Sequence, residues 1–162
     1  MVIINQLPSS IALIVYDFDG VMTDNRVLIN QTGEESVYVH RGDGLGISLI
    51  RKIGIPQLIL STETNPIVKF RAKKLKIPVI HNVEDKKDTL MQYCEKQSVS
   101  LEDVIYVGND VNDIDAMKIV GYAVCPKDAH PQIKKIANHV LKSNGGYGVI
   151  RELTDKVINQ KK

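Results

Sequence analysis

Two aspartates one residue apart, Asp17 and Asp19, stand directly after an apolar run and before Gly20. A short apolar run that ends at a turn signal is typical of a buried strand in a parallel sheet, and ligands of such sheets bind where the strands end. Neighbouring carboxylates disfavour each other's ionisation, which a divalent cation such as Mg²⁺ relieves. The pair therefore predicts a magnesium-assisted site in which one carboxylate is free to react. An ordinary Asp-Gly turn is the simpler alternative.

Further polar residues occur at corresponding places along the chain. They are Ser61 and Thr62 after a second apolar run, Lys86 at the start of a helix after a third, and Asn109, Asp110 and Asp113 after a fourth. Because the carboxyl ends of parallel strands meet at one edge of a sheet, we expect all of these side chains to converge on the aspartate pair. The set is a far more specific signal than any single member.

Phosphoryl transfer requires the residue types that this edge brings together. It needs an anionic nucleophile, a cation between two anions, donors for the phosphoryl oxygens and an acid for the leaving alcohol. Asp17 is predicted to be the nucleophile that forms an aspartyl-phosphate, and Asp19 the general acid and then the general base. The residues predicted to bind phosphoryl oxygens are Ser61, Thr62 and Lys86. The residues left to complete the metal shell or orient the lysine are Asn109, Asp110 and Asp113.

Strand and helix signals alternate along almost the whole chain. Strands are predicted at 11–16, 57–60, 78–80, 104–107, 122–124 and 139–141, each followed by a helix except the first. After the first strand, the short segments Arg26–Asn30 and Glu35–Val39 predict a β-hairpin, an insert at about 25–40. The alternation predicts an α/β fold, a doubly wound parallel sheet with a small β-hairpin cap, and a single domain over residues 1–162.

Composition excludes several other functions. The chain has 162 residues, a net charge of +2, no Trp and two Phe, which offers neither a basic footprint nor a base-stacking platform for nucleic acid. No apolar stretch approaches the roughly 20 residues that span a bilayer, and Met1–Pro8 lacks the basic region of a signal peptide. Cys94 and Cys125 have neither metal-site nor disulfide spacing. We therefore expect a cytoplasmic protein with a small-molecule partner and no nucleic-acid or membrane partner.

The ordered motifs Asp17–Asp24, Ser61, Lys86 and Gly108–Asp113 resemble the four motifs of the haloacid dehalogenase-like phosphatases. The hairpin that stands in place of a larger cap narrows the resemblance to a small tetrameric subfamily that dephosphorylates 2-keto-3-deoxy sugar acids. Two further segments, Asp128–Pro131 and Gly145–Glu152, are also similar to that subfamily.

This resemblance implies a cofactor, site roles and an assembly. The cofactor is Mg²⁺, held by Asp17, the backbone carbonyl of Asp19 and either Asn109 or Asp110. Asp113 would orient the phosphate-binding lysine. The resemblance also implies a homotetramer with active sites near subunit interfaces. In such an assembly the glycine-rich segment 145–148 would bind phosphate or close over a neighbouring site.

The residues after the second motif indicate a substrate. Octulosonate phosphatases of this subfamily typically carry arginine there and the nonulosonate-type enzymes glutamate, and this chain has Glu63. The resemblance predicts a nonulosonate 9-phosphate of the deaminated or N-acylneuraminate type, with 3-deoxy-octulosonate 8-phosphate as the alternative. Glu63 would accept from sugar hydroxyls and Arg71 or Lys74 would pair with the substrate carboxylate. The simpler interpretation is a helix-start carboxylate and a solvated helix face.

One position departs from the family pattern and keeps other functions open. The fourth motif usually has aspartate where this chain has Asn109, whose amide oxygen can bind Mg²⁺ but removes one negative charge. A non-catalytic oligomerisation module, similar to a domain fused to cytidylyltransferases of sialic acid synthesis, is one alternative that Asn109 suggests. That domain lacks the nucleophilic aspartate, whereas this chain has Asp17. A signalling receiver is the other. Its acceptor aspartate follows a middle strand, where this chain has Ser61–Glu63.

Overall fold

The structure is a computed structural model that describes residues 6–160. Residues 1–5 and 161–162 lie outside this range. The segment Met1–Pro8, for which no signal peptide was predicted, is therefore described only from residue 6 onward. The strands are β1 (Leu13–Tyr16), β2 (Leu28–Ile29), β3 (Glu35–Ser36), β4 (Gln57–Leu60), β5 (Val79–Ile80), β6 (Val104–Val107), β7 (Tyr122–Cys125) and β8 (His139–Val140). The helices are α1 (Arg41–Lys52), α2 (Ile67–Leu75), α3 (Lys86–Gln97), α4 (Ile114–Ile119), α5 (Pro131–Ile136) and α6 (Val149–Gln160).

The main sheet is parallel and doubly wound, as the alternation of strands and helices predicted. Its order is β5-β4-β1-β6-β7-β8, so the chain leaves the central strand β1 in one direction and later returns to its other side. This reversal creates a crevice at the carboxyl end of β1, where ligands of such sheets bind. The loop that carries the aspartate pair therefore lies at the switch point of the topology.

Alternating residues of the central strand bury two separate apolar layers. Ile14 and Tyr16 contact a layer that includes residues of α1, α2 and α6, whereas Leu13 and Val15 contact a layer that includes α3, α4 and α5. Successive side chains of a strand point to opposite faces, so a strand covered by helices on both faces is apolar throughout. All four residues of β1 are buried for this reason.

Local signals set several helix ends. Gly54, at φ +79°, comes directly after Ile53, the C-cap of α1, and donates its N–H to the Arg51 carbonyl, as expected of a glycine just past a helix end. The Asp85 side chain caps α3 by accepting from the Asp88 N–H at 2.9 Å. Capping by Asp85 starts α3 at Lys86, which places this lysine in the first turn beside the sheet edge.

The hairpin forms where it was predicted, but it is shorter than expected. Strands β2 and β3 pair over two residues each, and a single bridge between Thr23 and Val39 closes the base. Leu28 and Ile29 are 63% and 59% exposed. Little of the hairpin's apolar surface meets the rest of the chain, so few contacts extend the pairing. No helix among residues 6–160 is long and apolar enough to cross a membrane.

Candidate active site

Asp17 is the first residue beyond β1, and its two carboxylate oxygens have different surroundings. The side chain is buried, and Oδ1 accepts from the Phe18 N–H at 2.7 Å and lies 2.9 Å from Lys86 Nζ. Oδ2 faces the amide of Asn109 instead. The carboxylate is therefore held in one orientation by fixed donors, as a positioned nucleophile requires.

Asp113 anchors the site from the opposite side of the lysine. It is fully buried, and its Oδ1 lies 2.7 Å from Lys86 Nζ and accepts from Tyr106 Oη at 2.8 Å. Its Oδ2 accepts from the backbone N–H groups of Asn109 at 2.9 Å and Asp110 at 3.3 Å. A buried ion pair offsets its desolvation cost only when such additional hydrogen bonds complete it.

Burial and neighbouring charges shift the ionisation of this cluster. Burial and the Asp113 charge raise the pKa of Asp17 to about 8, against the opposing effect of Lys86. Burial alone would lower the pKa of Lys86, but the two carboxylates outweigh it and raise that pKa. One ammonium shared by two carboxylates leaves an excess of negative charge. A cation near Asp17 Oδ2 would compensate this excess.

Asp19 lies at the entrance of the site. Its Oδ1 accepts from Thr23 Oγ1 at 3.2 Å, and the same hydroxyl accepts from the Gly20 N–H, which fastens the turn. Gly20 adopts φ +77°, a conformation that favours glycine. Partial burial and nearby Glu63 raise the pKa of Asp19. A carboxyl group that holds its proton is suited to act as a general acid.

Three oxygen-bearing groups, one of them the Asp17 carboxylate, converge in a way that fits a magnesium ion. The amide of Asn109 ends 2.8 Å from the carbonyl oxygen of Asp19 and 3.2 Å from Asp17 Oδ2. Adjacent ligands of an octahedral Mg²⁺ site, at 2.0–2.1 Å from the ion, lie about 2.9 Å apart. Among residues 6–160 no three His, Cys, Asp or Glu side chains cluster as metal ligands. A site here accordingly depends on carbonyl and amide oxygens as well as on Asp17.

Asp110, the other residue predicted as a possible metal ligand, makes different contacts. Its carboxylate accepts from the Val111 N–H at 2.7 Å and caps the short 3₁₀ turn Val111–Asp113 in a reciprocal capping box with Asp113. It also lines the small cavity of about 100 Å³ above the aspartate pair. Because the cap already engages this carboxylate, the geometry favours Asn109 as the ligand.

Ser61 and Thr62 follow β4 and line the same small cavity as Asp17. Ser61 is buried, and its Oγ accepts from the Glu63 N–H at 3.1 Å. That contact leaves the hydroxyl proton of Ser61 to donate to a ligand oxygen. Ser61, Thr62 and Asp17 thus line a space in which a phosphoryl group would meet donors and a nucleophile. Lys86 lies just behind it, with Nζ 2.9 Å from Asp17 Oδ1.

Glu63 lies in an adjoining cavity of about 240 Å³ that begins at Asp19. Hairpin residues, including Arg26 and Glu35, line its other side. Glu63 Oε1 also accepts from the Asn65 N–H at 2.7 Å. The structure therefore supports both interpretations of Glu63, a group that faces the space beyond Asp19 and a stabiliser of the turn before α2.

Arg71 and Lys74 do not join Glu63 within one chain. They line a separate cavity of about 430 Å³ between α1 and α2, together with Arg41 and Arg51. Arg71 donates to the His40 carbonyl oxygen at 3.1 Å. Their pairing with a substrate carboxylate stays a prediction.

Two features of the site escaped sequence-based prediction. Tyr106 belongs to the buried strand β6, and its hydroxyl donates to Asp113. A tyrosine in an otherwise aliphatic buried strand signals the need for a hydrogen-bond partner, though not which one. The second feature is how the segment at 145–148 packs on its own chain. The Gly146 N–H donates to the Val21 carbonyl, and a Cβ at Gly145 would lie 2.2 Å from the Gly20 oxygen. The role predicted for this segment, in binding phosphate or closing over a neighbouring site, stays a prediction.

Comparison with known sequences places this geometry in context. Residues 57–153 match the model of a family described as haloacid dehalogenase-like hydrolases. The chain is 31% identical over 150 residues to 3-deoxy-D-manno-octulosonate 8-phosphate phosphatase of Haemophilus influenzae. The aligned region covers 92% of this chain and 83% of that protein. It is 27% identical to N-acylneuraminate cytidylyltransferase A of Danio rerio over 96% of this chain. That match spans about a third of the relative's length, 36%.

Solved structures show the same fold. A protein of Streptomyces avermitilis, described as a hydrolase of the haloacid dehalogenase family, matches with a TM-score of 0.90 and 50% identity over 93% of this chain and 87% of that one. The 3-deoxy-D-manno-octulosonate 8-phosphate phosphatase of Moraxella catarrhalis, solved with magnesium, phosphate and its sugar acid, matches with a TM-score of 0.89 and 26% identity over the same shares. The predicted fold and the family resemblance are confirmed.

Proposed function

We propose that this chain, which belongs to the haloacid dehalogenase-like hydrolases, acts on the phosphate ester of a 2-keto-3-deoxy sugar acid. Its relatives in this family are phosphoric monoester hydrolases that use Mg²⁺, and so is this chain. The observation that carries the proposal is the position of Glu63. This residue lines the cavity that opens beyond Asp19, on the side where the leaving alcohol of a phosphate bound at Asp17 would extend.

The geometry supports a two-step reaction. Ser61, Thr62 and Lys86 bind the phosphoryl oxygens while the Asp17 carboxylate attacks phosphorus. Asp19 transfers its proton to the sugar oxygen as the P–O bond breaks, which leaves an aspartyl-phosphate and the free alcohol. Asp19, now a carboxylate, removes a proton from the water that attacks the aspartyl-phosphate. Inorganic phosphate leaves and the starting carboxylate is restored.

Electrostatics explain the remaining residues of the site. Asp17, the Asp19 carbonyl and Asn109 are the groups that would hold Mg²⁺, whose positive charge would offset the repulsion between an anionic nucleophile and an anionic phosphate. Asp113 keeps Lys86 charged and aimed at the same point, because its two oxygens hold the ammonium and the loop backbone together. These metal and orienting roles are part of the proposal.

Two substrates of this class are supported by different observations. Octulosonate 8-phosphate is favoured by the comparisons, since phosphatases for it are 31% identical to this chain over most of their length. Nonulosonate 9-phosphate is favoured by Glu63, an acceptor that suits a rim of sugar hydroxyl donors and stands where octulosonate phosphatases typically carry arginine. The comparisons give the octulosonate alternative the broader support.

A substrate panel distinguishes the two. We would measure phosphate release from octulosonate 8-phosphate and from deaminated and N-acylated nonulosonate 9-phosphates, with wild type and Glu63→Arg. If Glu63 sets specificity, the variant changes the ratio of kcat/KM between the two classes by about 10-fold or more. Glu84→Arg is the matched control, since it makes the same charge change at an exposed position outside the cavity.

The outcomes separate the candidates. A higher kcat/KM of wild type for octulosonate 8-phosphate would reject the nonulosonate assignment, and the reverse result would reject the octulosonate one. Release of phosphate from neither class would reject the sugar-acid proposal. Equal effects of the two substitutions would remove Glu63 from substrate recognition.

The assembly and the location are also proposed. We propose a homotetramer whose interfaces cover the hairpin, because its apolar residues Val27, Leu28 and Ile29 are about half exposed or more. An interface that reaches the hairpin would also cover the Glu63 cavity, which hairpin residues line. A single domain over residues 1–162 and a cytoplasmic location are predictions that accompany this proposal.

A further inference from the structure

The backbone of Asn109 is fixed on both sides, so only the end of its side chain is free to turn. Its N–H donates to Asp113 Oδ2 at 2.9 Å, and its carbonyl oxygen accepts from the His130 N–H at 2.8 Å. The residue is 7% exposed. An amide is nearly symmetric in shape, and a half-turn exchanges its oxygen and nitrogen without moving the backbone.

When Asp17 is ionised, the two groups that face the Asn109 amide are both hydrogen-bond acceptors. They are Asp17 Oδ2 at 3.2 Å and the Asp19 carbonyl oxygen at 2.8 Å. An amide oxygen at this place would gather three acceptors without a donor, which is costly in a buried site. An amide nitrogen at the same place donates to both. The metal-free protein is therefore satisfied by Nδ2, whereas a cation at the same point is satisfied by Oδ1.

Gly20 leaves room for either orientation. A Cβ at residue 20 would lie 2.0 Å from the outer heteroatom of the Asn109 amide, so any side chain at this position would obstruct it. Gly20 also adopts φ +77°, which disfavours other residues. The same glycine thus serves both the turn and the space around the amide.

We propose that the Asn109 amide stands in for the cation when Mg²⁺ is absent, donating to Asp17 and the Asp19 carbonyl, and that it turns its oxygen into this position when Mg²⁺ binds. This inference rests on the magnesium site described above and goes beyond the proposed substrate. It gives a physical role to the asparagine that replaces the aspartate of the family motif. The metal-free site keeps its geometry without a second carboxylate next to Asp17.

An aspartate at this position would behave differently in both states. Without metal it would bring another carboxylate to about 3 Å from Asp17 Oδ2, where like charges repel, and it has no donor for the Asp19 carbonyl. With metal it would add one negative charge to the ligand shell. Asn109→Asp should therefore lower the stability of the metal-free protein and raise its affinity for Mg²⁺, by about 10-fold or more in Kd.

Thermal unfolding and calorimetry test this without any substrate. We would record unfolding of wild type and Asn109→Asp in excess chelator and during titration with Mg²⁺, and measure Kd for Mg²⁺ by calorimetry. Asn112→Asp is the matched control, because Asn112 lines the same small cavity and gains the same charge. We expect Asn109→Asp to melt below both other proteins without metal and to gain the largest Tm increase from Mg²⁺.

The side-chain amide itself provides a direct signal. In wild type labelled with ¹⁵N, the Asn109 NH₂ resonances should shift on addition of Mg²⁺ as their acceptors change. Asn109→Ala removes both donor and ligand, so it should weaken Mg²⁺ binding. Unchanged Mg²⁺ affinity in that variant would remove Asn109 from the ligands and overturn the proposal.

Other results also decide the matter. A metal-free Asn109→Asp protein as stable as wild type would overturn the stand-in role, and so would equal Mg²⁺ affinities of Asn109→Asp and Asn112→Asp. If Asn109→Asp folds only with Mg²⁺ present and unfolds when chelator is added, the proposal is supported. Wild type that binds no Mg²⁺ would reject the metal site, while the substrate panel would still test the proposed class of ester.

Discussion

The edge of the sheet around Asp17 and the hairpin formed by β2 and β3 differ in how much of their surface the chain itself contacts. At the sheet edge, Asp17, Lys86 and Asp113 are buried, and Lys86 Nζ lies 2.9 Å from Asp17 and 2.7 Å from Asp113. In the hairpin, Leu28 and Ile29 are mostly exposed and two residues of each strand form the whole pairing. The polar contacts of the proposed phosphoryl-transfer centre are thus made within one chain, whereas the hairpin leaves apolar surface that the proposed assembly would cover.

The proposed catalytic groups and the proposed substrate-recognition cavity therefore differ in how firmly one chain holds them. The groups that would act on the phosphate are held by fixed backbone donors and a buried ion pair, so their geometry does not depend on assembly. The cavity next to Glu63 is lined on one side by the hairpin, whose position few intrachain contacts determine. Loss of the proposed assembly should therefore change substrate selection more than it changes the reactivity of Asp17.

The largest expected effect comes from removing the nucleophile at the sheet edge. Asp17→Asn keeps the shape of the side chain but cannot form the aspartyl-phosphate, so kcat should fall by about 10³-fold or more. Steady-state phosphate release with saturating Mg²⁺ measures this. Circular dichroism and sedimentation should match wild type, because the hairpin is untouched. More than a tenth of wild-type kcat would contradict the role of Asp17.

The second largest effect is expected from removing Asp113, and it measures how much the buried contacts of this residue stabilise the fold. Asp113→Ala leaves Lys86 with one carboxylate and strips the Tyr106 hydroxyl and two backbone N–H groups of their acceptor. Breaking a buried pair in this way costs about 3–5 kcal/mol in the free energy of unfolding. Urea denaturation measures this loss.

Asp110→Ala is the control for this prediction. It makes the same truncation three residues earlier but removes only a helix-capping carboxylate, for which a loss of about 0.5–2 kcal/mol is expected. Similar losses in the two variants would mean that the ion pair adds no more than a cap, and the contrast with the hairpin would weaken.

The smallest effect on folding is expected in the hairpin. The double variant Leu28→Ser and Ile29→Ser changes exposed side chains, so the free energy of unfolding of the single chain should move by less than about 0.5 kcal/mol. Sedimentation should nevertheless show dissociation of the proposed tetramer. Met91→Ser is the control, because Met91 is 44% exposed on α3. An unchanged oligomeric state in the double variant would exclude the hairpin from the interface.

Local patterns predicted much of the fold and of the site. The apolar runs at 57–60 and 104–107 coincide with β4 and β6, and the predicted hairpin occurs between β1 and α1. Asp17, Ser61 and Asp113 could be brought together on paper because each follows a strand, and parallel strands end at one edge. Neither the strand order nor any side-chain contact was needed for that inference.

Contacts between distant segments could not be predicted in the same way. Arg71 and Lys74 lie on α2, the helix that follows the loop with Glu63, yet their side chains line a cavity toward α1. Which face of α2 meets that cavity depends on how the helix packs on the sheet. The hydrogen bond from Tyr106 to Asp113 likewise depends on the path of the loop that returns toward β6.

The sequence by itself determined the alternation of elements, the family, and the residue types available at the strand ends, because these follow from periodicity and from short motifs. Only the tertiary structure decided which oxygens of Asp17 are engaged and that the Asn109 amide reaches the Asp19 carbonyl. It also decided that the hairpin buries little of its own surface. The physical reason is that hydrogen bonds and burial depend on distances between segments far apart in the chain, which packing sets and spacing along the sequence does not.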